Sequence, residues 1–421
     1  MVFARPTLAW GMSLNSLTRN LLAGLTVAIV ALPLALAFGI GSGLGAAAGI
    51  ATAVIAGMIA AAFGGSKYQV SGPTGAMTVI LIPIVHQYGP SSILQVGLLA
   101  GLFLLLAAAL KLGRHVHKLP DSLVEGFTAG IAVIIALQQI AFILGVDVEH
   151  SDRVWQSAFL EIQHWLAQPS PHAIGIGSLA LIANLFGSSR WPKLPLALIS
   201  VIVLTLAVDT IGIDVPRIGE LPLTFLAPST EFLGFGNWTA LLVPALAVAF
   251  LAGLESLLSA RIADGMSKHA NDHQPNRELF GQGLANLATA FFGGIPATAA
   301  LARTAVNVRS GADSRIAAFS HAVFLAIFVL AISPIVERIP LAALGGVLIA
   351  TAWHMIRPVE LRATASKSRL DGIVLLATFM ATLILDLILA LAIGALLHLL
   401  LRETNLSVSK IPVNQEETLG D

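Results

Sequence analysis

The chain contains no cysteine, which excludes disulfides, thiolate metal sites and thiol chemistry. Charge is scarce as well: Asp, Glu, Lys and Arg make up 11% of the residues, against about a quarter in soluble domains. The 23 basic and 23 acidic residues balance to zero, so net charge attracts no polyanion and no nucleic-acid partner is expected. No HExxH, GxSxG or phosphate-binding loop occurs and no cluster has metal-ligand spacing, so the sequence does not read as an enzyme. A cleavable signal is missing too. The first apolar run is about 20 residues long with no clear cleavage site, and we read it as a retained span.

What is present is apolar: 56% of 421 residues are hydrophobic and mean hydropathy is +0.86. The chain is therefore read as an all-α integral membrane protein whose principal partner is the lipid bilayer. A spanning helix needs about 20 apolar residues. By that ruler the segments are 20–40, 44–63, the short 74–86, 92–110, 122–144, 172–187, 194–209, 239–258, 279–292, the short 298–309, 315–334, 340–355 and 372–401. The last is too long for one span, and Asp386 at its centre suits a tight turn between two helices. The count is then fourteen transmembrane segments, a 7+7 inverted repeat. With the N-terminus in the cytoplasm, every Lys and Arg falls inside except Arg153, Arg217 and Arg338 outside and Arg303 within the membrane, as the positive-inside rule requires. Both termini are expected to be cytoplasmic in a multi-pass protein of the cell membrane. The external connections, about 145–171 and 210–238, hold Asp147, Glu149, Asp152, Asp214, Glu220 and Glu231.

Two stretches organise the chain. Residues 68–85 and 293–308 share one plan: a Gly and Pro break, a small hydroxyl residue, then a helix too short to cross a bilayer. Paired, interrupted, short segments in corresponding halves point to a substrate site at mid-membrane. In an inverted repeat the two short helices aim their N-termini at each other. Each presents unused N–H groups and about half a positive charge, so a small anion can be held without a full set of basic side chains. The many other glycines, such as Gly39, Gly41, Gly43, Gly45, Gly64 and Gly65, read mostly as close helix contacts.

Four ordered motifs carry a resemblance: Ala31-Leu-Pro-Leu-Ala-Leu-Ala-Phe-Gly39, Val70-Ser-Gly-Pro-Thr-Gly-Ala-Met-Thr78, Arg277-Glu-Leu-Phe-Gly-Gln-Gly-Leu-Ala-Asn286 and Ala302-Arg-Thr-Ala-Val-Asn-Val-Arg-Ser-Gly311. Together they resemble the sulfate permease family, also called solute carrier family 26, and in particular its bacterial bicarbonate-transporter branch. The resemblance runs from about 15 to 403 and implies a core domain that moves against a gate domain. The core is expected at 17–112 and 239–334 and the gate at 113–238 and 335–402, with a cytoplasmic N-terminus 1–16 and a cytoplasmic tail 403–421. Family members usually dimerise, so a homodimer is expected. They usually also carry a C-terminal STAS domain, which this sequence is read as lacking after Arg402.

The resemblance also assigns residues. Substrate contacts map to Phe38, Ser71, Gly72, Thr74, Gly75, Thr298, Ala299, Ala300, Leu301 and Arg303, with backbone amides near Ala299 to Leu301 carrying much of the work. In the sodium-dependent branch an Asp and a Thr four residues later hold the coupling cation; here those positions are Glu255 and Ser259. Sodium at Glu255, Ser259 and Ala299 is one reading, and a proton on a buried glutamate, slightly favoured, is the other. No cofactor is expected beyond that ion. Plainer readings stand beside these: a capped helix for Ser71 to Gly75, a structural Glu255–Arg303 salt bridge, and packing for Phe38. Glu125, Gln138 and Gln139 read as interhelical hydrogen bonds. His86, His321 and His398 are single histidines and are not read as proton relays. Lys111, Arg114, His115, His117 and Lys118 read as a basic loop facing anionic lipid. The expected function is secondary active transport of a small anion, whether bicarbonate, sulfate or a dicarboxylate, with a coupling cation. An uncoupled anion channel or exchanger is the competing reading.

Overall fold

An apolar run inside a bilayer satisfies its backbone within itself only as a helix or a closed barrel, and the computed structural model is mainly helical. It describes residues 14–118, 120–146, 153–191, 194–221, 227–234, 238–267, 273–385 and 387–408. Asp147, Glu149, Asp152 and Asp386 lie outside the described residues, as do the side chains of His117 and Lys118.

The first half opens with α1 (Leu14–Gly41) and α2 (Ala46–Phe63), then a two-residue strand β1 (Ser71–Gly72), α3 (Gly75–Tyr88) and α4 (Ser92–Ala109). The helices α5 (Asp121–Gln138) and α6 (Ile140–Leu144) divide the segment read as 122–144 at Gln139. Next come α7 (Val154–Ala167), α8 (Pro171–Arg190) and α9 (Leu196–Ile211). The second half runs α10 (Leu242–Met266), α11 (Pro275–Phe291), β2 (Thr298–Ala299), α12 (Leu301–Arg309), α13 (Arg315–Val336) and α14 (Leu341–Met355). After α15 (Pro358–Lys367), α16 (Arg369–Ile384) and α17 (Leu387–Val408) replace the single long run, separated where a turn was expected.

Two helices fall where no span was read. The helix α7 lies in the stretch taken as an external connection. It is amphipathic, exposing Trp155, Phe159, Leu160, Ile162 and Leu166 while burying Ser157, Ala158 and Glu161. The short polar helix α15 precedes α16.

The chain divides into two compact units, one formed by residues 1–117 with 133–354 and the other by 118–132 with 355–421. In the larger unit, α1 and α2 pack closely with α13, around buried residues such as Ala31, Leu36, Ile50, Ala53, Leu325 and Val329. Small residues permit this. A methyl at Gly39 would fall 2.5 Å from the Gly45 carbonyl, so the backbones at this turn touch directly. In the smaller unit α16 and α17 pair, burying Thr378 and Thr382, and Lys367 contacts Asp121 at 3.1 Å.

The two broken segments meet. The strands β1 and β2 are antiparallel, with Ser71 opposite Ala299 and Gly72 opposite Thr298, and the Ala300 N–H extends the pairing to the Val70 carbonyl at 2.9 Å. Extended backbone has no internal partners, and burial without water leaves pairing as the way to satisfy it. From this crossing α3 and α12 leave with 14 and 9 residues, or about 21 and 14 Å, well short of a hydrocarbon core about 30 Å thick.

Candidate functional site

Each half supplies the site differently. Thr74 is the N-cap of α3: its hydroxyl oxygen accepts from the Met77 N–H at 3.4 Å and its proton goes to Glu255 Oε2 at 3.2 Å. The α12 helix starts at Ala300, which has no side chain able to cap, so its first-turn amides at Leu301 and Ala302 are left over, as helix geometry dictates. The upstream amides are already used. The Ala299 N–H donates to Ser256 Oγ at 3.2 Å and the Ala300 N–H to Val70.

Arg303 is among the largest fully buried side chains, at 1% exposure. One terminal nitrogen, Nη2, donates to the Pro73 carbonyl at 2.6 Å, and Nη1 meets no hydrogen-bond acceptor on the protein. The guanidinium lies against Gly72: a methyl there would stand 2.6 Å from Nη1 and 3.2 Å from Ala53 Cα. Only glycine lets the arginine of one half approach the backbone of the other so closely. Glu255 is half-buried beside the crossing, between the hydroxyls of Thr74 and Thr298 and within electrostatic reach of Arg303, without a direct ion pair to it.

The other sequence-assigned residues are placed as follows. Phe38 is buried, with its ring edge 3.2 Å from where a methyl at Gly75 would sit. Thr298 is fully buried; it donates to the Ala252 carbonyl at 3.1 Å and shares a hydrogen bond with Ser256 at 3.0 Å. Ser71 turns its hydroxyl away, to accept from Gln282 Nε2 at 2.7 Å. Ser259, one helical turn after Glu255, donates to Thr304 Oγ1 at 3.3 Å, and Thr304 in turn accepts from the Val70 N–H at 3.1 Å. The structure thus gathers Thr74, Glu255, Thr298, Arg303 and the α12 amides, while the Ser71 and Ser259 hydroxyls bond to the Gln282 and Thr304 side chains. Ser256, which holds the Ala299 amide, carries no signal in the sequence, because a lone serine on an apolar helix gives no sign of a partner 43 residues away.

A recess of about 190 Å³ lies at the far ends of α1 and α3, lined among others by Ser42, His86, Gln138, Ser157 and Glu161. Burial pushes the Glu161 carboxyl up to about 7, opposed in part by a backbone hydrogen bond at Ala141.

Residues 17–378 match the family described as the sulfate permease family. The chain belongs to that family. It is 38% identical to the putative sulfate transporter YvdB of Bacillus subtilis, over 92% of this chain and 74% of that one. With the bicarbonate transporter BicA of Picosynechococcus it shares 30% identity over 93% and 72% of the two chains. The solved transmembrane domain of a cyanobacterium bicarbonate transporter BicA superimposes with a TM-score of 0.82 at 29% identity, covering 90% of this chain and 98% of that one. Murine Slc26a9, in its inward-facing state, matches at a TM-score of 0.84 over 94% of this chain and 69% of that one; at 17% identity it speaks for the fold alone. The family and these relatives are transporters and not enzymes, so the protein is a multi-pass membrane protein of an anion-transporter family.

Proposed function

We propose that this chain is a secondary active transporter that binds one small anion at the crossing of residues 71–75 and 298–303 and couples its movement to a cation on Glu255. The observation that carries the reading is the Thr74 to Glu255 hydrogen bond, because it ties the cap of one half-helix to the only carboxylate among the residues gathered there. The anion would be bicarbonate, sulfate or a dicarboxylate; the names of the relatives favour sulfate and bicarbonate.

The chemistry follows from charge. With Arg303 and Glu255 both ionised their fields largely cancel, and the anion is held by two helix ends worth about 0.3–1 kcal/mol each, up to about 2 where partly buried. A proton or sodium ion on Glu255 leaves Arg303 uncompensated. At about 5 Å and an effective dielectric constant of about 20, removing one unit charge changes the anion's energy by about 3 kcal/mol, or about a hundredfold in affinity. That exceeds a single helix end, so cation loading decides whether the anion stays. A proton on Glu255 also reverses its hydrogen bond. The carboxyl then donates to Thr74 Oγ1, and the freed Thr74 proton can face the anion. The proton is slightly favoured over sodium as the coupling ion because Glu255 is one methylene longer than the Asp of the sodium-dependent branch and Ser259 stands in place of its Thr.

In this reading fourteen segments form two inverted halves, both termini are cytoplasmic, the protein is a homodimer of the cell membrane, and the core 17–112 with 239–334 moves against the gate 113–238 with 335–402 to expose the site alternately. The test is uptake of labelled bicarbonate, sulfate, fumarate and succinate into proteoliposomes under separate sodium and proton gradients. Accumulation driven by one cation is the expected result. Currents that follow chloride, with no requirement for either cation, would replace the reading with an uncoupled channel or exchanger.

A further inference from the structure

The strands at the crossing are two residues each, and a two-stranded pairing is marginal by itself even when longer. Something else must fix how far apart the two helix starts stand. The motif Arg277 to Asn286 lies on α11, which contributes no residue to the site described above.

Three of its side chains, Glu278, Gln282 and Asn286, fall at i, i+4 and i+8 and so share one face. Their exposures are 2%, 0% and 1%. Glu278 Oε2 accepts from the Gly65 N–H at 2.7 Å and the Ser66 N–H at 3.0 Å, holding the link between α2 and β1. Its Oε1 accepts from Gln282 Nε2 at 3.0 Å, and the same Nε2 donates to Ser71 Oγ on β1 at 2.7 Å. Asn286 grips the other side. Its Oδ1 accepts from the Ala297 N–H at 2.8 Å and its Nδ2 donates to the Ala297 carbonyl at 2.9 Å, immediately before β2. A side-chain amide bonded to both polar groups of one residue does what a third strand would do, but from a rigid helix.

We propose that Glu278, Gln282 and Asn286 are positioning residues of the anion site, a ladder that sets the separation and register of the α3 and α12 starts. This rests on the site being an anion site. Buried polar groups that lose a partner cost about 1–3 kcal/mol; a ladder that holds geometry turns part of that cost into anion affinity, and one that only holds the fold does not.

The test uses the full-length protein in lipid with two readouts: labelled sulfate and bicarbonate uptake, and amide hydrogen exchange of residues 64–74 and 293–303. Asn286→Ala and Glu278→Ala are expected to raise KM about tenfold with turnover per folded molecule kept, and to speed exchange in those two segments only. Glu278→Gln, which keeps an oxygen for the Gly65 and Ser66 amides, is expected to restore most of the KM. Where Asn286→Ala does not fold, Gln282→Met keeps the volume and removes only the bonds to Ser71 and Glu278, and the same readouts judge it. Uptake that falls with folded protein at unchanged KM, or exchange that is unchanged or raised along the whole chain, overturns the ladder. A wild type that moves none of the anions refutes the transport reading instead, and the exchange pattern still decides the ladder.

Discussion

The two helix starts at the crossing share a sequence plan and differ in how their first amides are treated. The α3 start is closed at one amide: Thr74 caps the Met77 N–H and passes its own proton to Glu255. The α12 start is bare, with alanine at the cap position and a buried arginine one turn in. One break therefore joins a hydroxyl to a carboxylate, the pair proposed above to take the cation, and the other presents amides and a buried arginine. The two breaks are alike in sequence plan, and side chains at a few positions set them apart.

That division is open to test. The largest expected effect is at the closed side. Glu255→Gln should abolish cation-driven accumulation in proteoliposomes while anion exchange across the membrane persists, because a permanently neutral group cannot load and unload. Accumulation that survives the substitution would remove Glu255 from coupling. At the bare side, Arg303→Ala should weaken anion binding about a hundredfold, the counterpart of removing a unit charge from the site. It also strands the Pro73 carbonyl, which makes a loss of thermal stability the accompanying readout. A smaller change tests the asymmetry directly. Ala300→Ser places a capping hydroxyl on extended backbone at φ −90°, ψ 117°. The variant should gain about 1 kcal/mol of stability and bind anion about threefold more weakly, since serine then competes for the amides. An affinity that rises would mean the α12 amides do not serve the anion.

Much of this was legible in the sequence, for identifiable reasons. Gly and Pro clusters inside apolar runs must break helices, so the breaks that open 68–85 and 293–308 and the short α3 and α12 announced themselves. The division of 372–401 into two helices did so because the run exceeds any bilayer. The pairing of β1 with β2 left no trace, since two residues carry no period. Nor did the orientation of Ser71 toward Gln282 and of Ser259 toward Thr304, because a hydroxyl's direction is fixed by neighbours distant in sequence. The helix α7 leaves no long apolar run in the sequence, because it is amphipathic with Glu161 on its buried side.

Glu161 offers the last and smallest contrast, since it is a buried carboxyl that lines the recess at the far ends of α1 and α3. Its folded-state value of about 7 stands above the ordinary 4.5. Between these values the unfolded chain has released the proton that the folded chain still binds. Stability therefore falls as pH rises through that window and levels off above the folded value. The effect is on the order of 1 kcal/mol, less than the full shift implies, because solvent in the adjoining recess screens the charge. Glu161→Gln should flatten thermal stability between about pH 5 and 7 and leave the pH dependence of uptake as in the wild type. If uptake loses its pH dependence instead, proton handling belongs to the recess at α7, and the closed helix start keeps only its cap.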